Sequence, residues 1–143
     1  VIEYNCRFGD PETEVVLPLL ESDLLEIMKA TTNGTLSEIE VKFSEKSACC
    51  VIMASEGYPV KYEKGYEMNI PEEIEGNVYV AGASLKDGKL LTNGGRVLGV
   101  TDTADNLETA LKKAYENVKL VSFQNAFYRN DIGAKALKAI KGE

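Results

Sequence analysis

Apolar and polar positions alternate at the start of the chain. Ile2, Tyr4, Cys6 and Phe8 fall on one side, and Glu3, Asn5 and Arg7 on the other. This two-residue period predicts a strand with an apolar back and a polar front, ended by Gly9. The pattern then changes to helical spacing. Asp10-Pro11-Glu12 reads as a helix start, with Asp at the N-cap, Pro in the first turn and an acid beside it. Val15, Val16, Leu19 and Leu20 supply its apolar side. A second start at Ser22-Asp23 leads into Leu24, Leu25, Ile27 and Met28, and Asn33-Gly34 closes that helix.

Strand signals dominate the middle of the chain. Ala48 to Ala54 is a nearly unbroken apolar run, which predicts a buried strand. Gly57-Tyr58-Pro59 marks a turn, and residues 60–76 read as a polar loop with short strand pieces. Val78 to Ala81 predicts a strand. Lys86-Asp87-Gly88-Lys89 predicts a hairpin turn, because Asp-Gly supplies the positive φ such turns need. Leu90-Leu91-Thr92 returns, Asn93-Gly94-Gly95 turns tightly, and Arg96 to Thr101 forms a further strand. A helix then starts at Asp105, with Glu108 completing a capping box. Its apolar face is Leu107, Ala110, Leu111, Ala114 and Val118. Leu120 to Phe123 predicts a short strand, and Asp131 caps a last helix through Ile132, Ala136 and Ile140. The expected class is α+β, with short antiparallel strands and helices towards the end.

Charge divides the chain. Residues 1–46 carry 10 acids against 4 bases, whereas residues 47–143 carry 13 against 12. The shift predicts a boundary near Lys46. With a net charge of −7 and no basic stripe, nucleic acid is excluded as a partner. No apolar run is long enough to span a bilayer, and Val1-Ile2-Glu3 has no leader character, so the expected location is cytoplasmic. The chain lacks an initiator Met and opens inside an alternation, which suggests a cut from something longer.

The residue inventory restricts the chemistry. There is no His in the sequence, so a Ser–His–Asp or Cys–His mechanism within it is excluded. Three cysteines, two of them adjacent, make neither a disulfide framework nor a zinc site; reduced thiols filling apolar space are expected. What remains is carboxylates, Arg, Lys, backbone amides and a hard metal ion. Glu3, Asn5 and Arg7 share one face of the predicted strand. A carboxylate and an amide oxygen two residues apart suit magnesium, which keeps several waters and shares phosphate oxygens with its protein ligands. Arg7 adds a planar fork for oxyanions. The bland alternative is a half-exposed strand with a solvated face. Arg96, directly after two glycines, is either a phosphate contact reached over bare backbone or a solvated or salt-bridged turn residue. Arg129 is a weaker phosphate candidate, better explained as an anchor for the last helix.

A resemblance narrows these readings. Glu3-x-Asn5-x-Arg7-Phe8-Gly9-Asp10-Pro11-Glu12-Thr13 resembles the signature near the end of the ATP-grasp region in the phosphoribosylamine–glycine ligase family. The likeness continues in order through Ala54-Ser55-x-Gly57-Tyr58-Pro59, Tyr62-x-Lys64-Gly65, Thr92-x-Gly94-Gly95-Arg96-Val97-Leu98 and Tyr128-Arg129-x-Asp131-Ile132-Gly133. Ala104, Val60, Asn125 and Phe43 depart from the family pattern, and none of them touches Glu3, Asn5 or Arg7.

The resemblance implies that residues 1–46 are the tail of an ATP-grasp domain. Residues 47–143 would then be the ligase's C-terminal domain, a barrel-like arrangement of short strands with helices. It implies ATP as co-substrate, magnesium or manganese held by Glu3 and Asn5, and Arg7 as a catalytic stabiliser of the phosphates. It also implies a pathway, purine biosynthesis, in which glycine is joined to phosphoribosylamine, with Arg96 and Arg129 as candidate substrate contacts. The enzyme's N-terminal part would be missing, so the segment alone is expected to be inactive, and residues 1–20 to fray, pair with another copy or swap. A C-terminal module of another ATP-grasp enzyme, such as a carboxylase-type relative, and a non-catalytic binding or assembly domain are the alternatives.

Overall fold

A computed structural model of the chain describes residues 1–142. In chain order the elements are α1 (Thr13–Val16), a short 3-10 turn (Leu17–Leu19), α2 (Leu24–Asn33), β1 (Ser47–Ser55) and β2 (Asn77–Val80). They continue with β3 (Ala83–Lys86), β4 (Lys89–Thr92), β5 (Arg96–Ala104), α3 (Leu107–Val118), β6 (Ala126–Phe127) and α4 (Ala134–Lys141). Every strand pairing is antiparallel. One sheet has the order β2-β5-β1-β6, and β3-β4 form a separate hairpin. The expected α+β class with antiparallel strands is therefore present, as two sheets rather than one closed barrel.

The two long central strands carry the core. Cys49, Val51 and Met53 on β1 lie opposite Asp102, Val100 and Leu98 on β5. Directly opposed residues of an antiparallel pair share a face. On that face α3 packs through Ala110, Leu111, Ala114 and Val118, the stripe its spacing predicts. Val51, Met53, Leu98 and Val100 are essentially inaccessible to solvent, and burying each such side chain stabilises the fold by about 2 kcal/mol. Asp102, also buried there, accepts a 2.9 Å hydrogen bond from the Asn117 amide of α3. The opposite face carries Cys50, Ile52, Gly99 and Thr101, and α1 lies against it, with Glu14 reaching Cys50. Cover on both faces explains why β1 reads as a continuous apolar run rather than an alternation.

One irregularity in the β1–β5 ladder matters for function. Met53 pairs with Leu98 and Ala54 with Arg96, so Val97 is an extra residue, a β-bulge. The Val97 carbonyl accepts both Ala81 N–H (2.9 Å) and Gly82 N–H (3.0 Å). Strict alternation would put Arg96 on the same face as Leu98 and Val100, in the core beneath α3. The bulge shifts the phase by one residue and delivers Arg96 to the α1 face.

Several local expectations hold. Asp23 caps α2, its carboxylate accepting from Leu25 N and Glu26 N, and Gly34 ends the helix at φ 72°. Asp87 and Gly88 take φ 51° and 75° in the hairpin. Others are corrected. Residues 1–8 form no strand: they are irregular and largely exposed, with no strand beside them among the described residues to complete a ladder. Asp10 is not a helix cap; α1 begins at Thr13 after Glu12, and the Asp10 carboxylate is drawn to Arg96 instead.

The cap of α3 is Asn106, which accepts from Thr109 N, so the signal at Asp105 was one residue early. Asp131 does not cap α4 through its side chain either, because Arg129 holds its carboxylate and Gly133 precedes the helix. Residues 120–123 contribute one bridge, Ser122 to Asn69, rather than a strand. β4 and β5 do not pair, so Asn93-Gly94-Gly95 joins two sheets rather than closing a hairpin.

Candidate functional site

The candidate residues at the start of the chain depend on side-chain contacts for their order, since no ladder holds them. Asn5 is gripped from both ends of its amide. Its Nδ2 donates to both Glu12 oxygens at 3.3 and 3.4 Å, and its Oδ1 accepts from Arg7 N–H at 3.3 Å. Arg7 donates from Nη1 to the Phe8 carbonyl at 3.3 Å. Thr13 returns the chain by donating from both its N–H and its hydroxyl to the Gly9 carbonyl. Asn5, Cys6, Arg7 and Phe8, with Met28 of α2, line an open cleft of about 480 Å³.

Arg96 joins this segment to the sheet. Its Nη2 donates to Asp10 Oδ2 at 2.9 Å, and its Nη1 to the Asp10 carbonyl at 3.2 Å, across 86 positions of sequence. Glycines on either side of it keep the backbone bare. A Cβ on Gly95 would stand 2.0 Å from the Tyr58 ring, and a Cβ on Gly82 would stand 2.3 Å from the Arg96 carbonyl oxygen. Ser55 ties the same turn down, donating from N–H to the Gly95 carbonyl at 2.8 Å and from Oγ to the Gly94 carbonyl at 3.0 Å. The structure therefore brings Arg96 to Asp10, in the turn that follows the Asn5–Arg7 segment.

Arg129 has a separate position. It grips Asp131 through two hydrogen bonds of 2.9 and 2.7 Å, and the Tyr115 hydroxyl bonds the Arg129 carbonyl and the Ile132 N–H. This hydrogen bonding holds the Asp131 carboxyl below its ordinary range and raises the guanidinium. The arrangement anchors the approach to α4, as the favoured of its two sequence readings anticipates.

The metal question turns on donor chemistry. Glu3 and Asn5 would each bring one hard oxygen donor, and the Glu12 carboxylate stands against the Asn5 amide. Among the described residues there is no group of three or more His, Cys, Asp or Glu that could hold an ion. A cation there would need oxygens from water and phosphate to complete its shell, which is how magnesium commonly binds nucleotides.

A family model described as the phosphoribosylglycinamide synthetase C domain matches residues 48–135. The chain belongs to that family. Related proteins extend the likeness beyond the matched C domain. A phosphoribosylamine–glycine ligase of Caldanaerobacter subterraneus is 48% identical over 135 residues, covering 94% of this chain and 32% of that protein. The trifunctional purine biosynthetic protein adenosine-3 of Gallus gallus is 48% identical over 141 residues, covering 96% of this chain and 14% of that protein. The crystal structure of a phosphoribosylamine–glycine ligase from Thermotoga maritima superposes with a TM-score of 0.73 at 40% identity, over 92% of this chain and 32% of that one. The chain thus spans about a third of the length of these single-function relatives.

Within the synthetase C domain, Arg96 and Arg129 fall inside the matched span, whereas Glu3, Asn5 and Arg7 precede it. Two contributors to the site escaped the sequence reading. Local spacing reads Asp10 as a helix start and Glu12 as a first-turn acid, yet one holds Arg96 and the other Asn5. Nothing in local spacing reveals a contact made across 86 positions. No helix among the described residues is long and apolar enough to cross a membrane.

The cysteines of this domain are chemically quiet. Burial pushes the Cys49 thiol up to about 11. Burial first, and then its 2.9 Å hydrogen bond to Glu14, push Cys50 up to about 12. Iodoacetamide at pH 8 should therefore label exposed Cys6 alone, giving a single adduct by peptide mass spectrometry; rapid labelling of half-buried Cys50 would contradict its raised pKa and its bond to Glu14. The folded state keeps both protons where an unfolded chain releases them near 9.0. Stability linked to these thiols is fully present below pH 9.0 and is lost progressively as pH rises from there through about 11 for Cys49 and about 12 for Cys50.

Proposed function

We propose that this chain is the C-terminal part of an ATP-dependent carboxylate–amine ligase that joins glycine to phosphoribosylamine in purine biosynthesis. The observation that carries the reading is the junction of Arg96 with Asp10. It brings the Gly94-Gly95-Arg96 turn of the synthetase C domain against the Glu3-to-Glu12 segment. We read that segment as the tail of the ATP-grasp domain, which places phosphate chemistry and amine recognition at one junction.

In this reading the γ-phosphoryl of ATP passes to the glycine carboxylate, releasing ADP. The phosphoribosylamine nitrogen then attacks the acyl carbon, phosphate leaves, and the nitrogen loses a proton. Glu3 and Asn5 would hold magnesium or manganese, which when bound neutralises charge on phosphate oxygens. Arg7 supplies a guanidinium to the phosphate oxygens as charge redistributes. Glu12 holds the Asn5 amide in place through its two hydrogen bonds. Arg96 offers its remaining N–H donors to the 5-phosphate of the amine substrate, where bare glycine backbone allows close approach. Arg129 is a second candidate for contact with the sugar phosphate, although its bidentate bond to Asp131 leaves it fewer free donors. ATP, glycine and phosphoribosylamine are the small-molecule partners, and the adenine and triphosphate would be clamped by the preceding part of the same ligase.

The deciding experiment is steady-state kinetics of the full-length protein carrying Arg96→Ala. A lost charge-assisted bond to phosphate should raise KM for phosphoribosylamine by about thirtyfold, with KM for ATP and glycine unchanged. An unchanged KM for phosphoribosylamine would remove Arg96 from the substrate site.

A further inference from the structure

Arg96 has a partner that no catalytic reading requires. We infer that Asp10 is a positioning residue for Arg96, orienting its guanidinium towards the sugar phosphate. The inference rests on the substrate role proposed for Arg96.

Three observations carry it. The first is the directed pair of contacts. Nη2 meets the Asp10 carboxylate at 2.9 Å and Nη1 meets the Asp10 carbonyl at 3.2 Å. Two contacts on different amino groups fix the rotation of a planar group, which a single ion pair cannot do. The second is donor arithmetic. A guanidinium has five N–H donors, and these two bonds leave the Nε–H and one hydrogen on each amino group unused. Arg96 can therefore hold Asp10 and an oxyanion together, so the pair is an orienting device rather than a block. The third is the bulge at Val97, which brings Arg96 onto the Asp10 side of the sheet. With its side chain 39% exposed, the unused donors remain open to a ligand.

Asp10 neutralises part of the positive charge that would attract phosphate. An orienting role is favoured because a long, flexible side chain loses several rotatable bonds on binding, and a pre-set fork has already lost them. The exposed setting limits the size of the effect.

The test is a double-mutant cycle in the full-length protein, using Asp10→Ala, Arg96→Ala and the pair. Asp10→Ala should raise KM for phosphoribosylamine about fivefold, with kcat within about twofold and KM for ATP and glycine unchanged. Asp10→Asn retains an acceptor oxygen and the carbonyl contact, so it should fall between wild type and Asp10→Ala. The double variant should match Arg96→Ala alone, because Asp10 acts only through Arg96. Effects that multiply would overturn the inference, as would a rise in KM for ATP, or Asp10→Ala indistinguishable from wild type while Arg96→Ala is impaired. If Arg96→Ala itself leaves KM for phosphoribosylamine unchanged, the substrate role of Arg96 falls first, and this inference with it.

Discussion

Asn5→Ala in the full-length protein is expected to lower kcat/KM by about a hundredfold and to abolish the ordinary dependence of turnover on magnesium concentration. The side chain does two things that alanine cannot. On the proposed reading it offers an amide oxygen to a hard cation, and it ties Glu12 and Arg7 into one arrangement through three hydrogen bonds. Its removal leaves Glu3 without a second oxygen donor and releases the Glu12 carboxylate. Asn5→Asp makes a useful companion. It keeps an oxygen donor but sets a second carboxylate beside Glu12, so like charges compete for the cation and the polyphosphate is repelled. The measurement is initial rate against magnesium at saturating ATP and glycine. A magnesium activation curve in Asn5→Ala that overlays the wild-type curve would sink the metal assignment for this residue.

Gly82→Ala is expected to destabilise the fold by about 3 kcal/mol, the upper part of the range for overpacking. The chain leaves the four-stranded sheet after β2 and returns to it before β5 at the same point. Gly82 and Gly94 cross there with no side chain between them. An alanine Cβ at position 82 would lie 2.3 Å from the Arg96 carbonyl oxygen and 2.8 Å from Gly94 Cα, both of them backbone atoms. Relief would require moving β5 or the turn before it. Gly82 N–H and Asn93 N–H also bond across this junction, at 3.0 and 2.7 Å, so movement breaks hydrogen bonds as well as contacts. Urea denaturation should show a lower midpoint with an unchanged slope. A midpoint within error of wild type would show that the crossing has slack. Because Arg96 is the residue struck, activity should fall in the surviving folded fraction too.

Much of this fold is legible in the sequence, and the readable parts share a cause. The α3 stripe, the β1 run, the Asp87-Gly88 turn and the Asp23 and Gly34 caps all carry their signal within a few consecutive residues, whether a local bond or burial against another layer fixes them. What failed was contact-dependent. The alternation of residues 2–8 is a genuine two-residue pattern, but a strand needs a neighbour, and the described residues offer none. Asp10 has every local feature of a cap, and a distant guanidinium outcompetes the helix for its carboxylate. Asp131 repeats the case on a shorter scale, since Arg129 is only two residues away and still wins. The candidate site was legible as chemistry, through Glu3, Asn5, Arg7 and Arg96, but not as an assembly. Asp10 and Glu12 enter it only because the chain folds back on itself.

The extra residue at Val97 also bears on how this sequence can drift. Along an uninterrupted strand, a side chain's neighbours in sequence dictate which way it faces, so a change that suits the interior constrains the positions next to it. Here the phase resets between Arg96 and Leu98. Substitutions selected for packing along the rest of β5 are thereby insulated from selection on the arginine. The same reset makes this short stretch intolerant of length change. Loss or gain of one residue there would exchange a charge for a hydrocarbon at both faces, whereas the polar loop at 60–76 could absorb such a change.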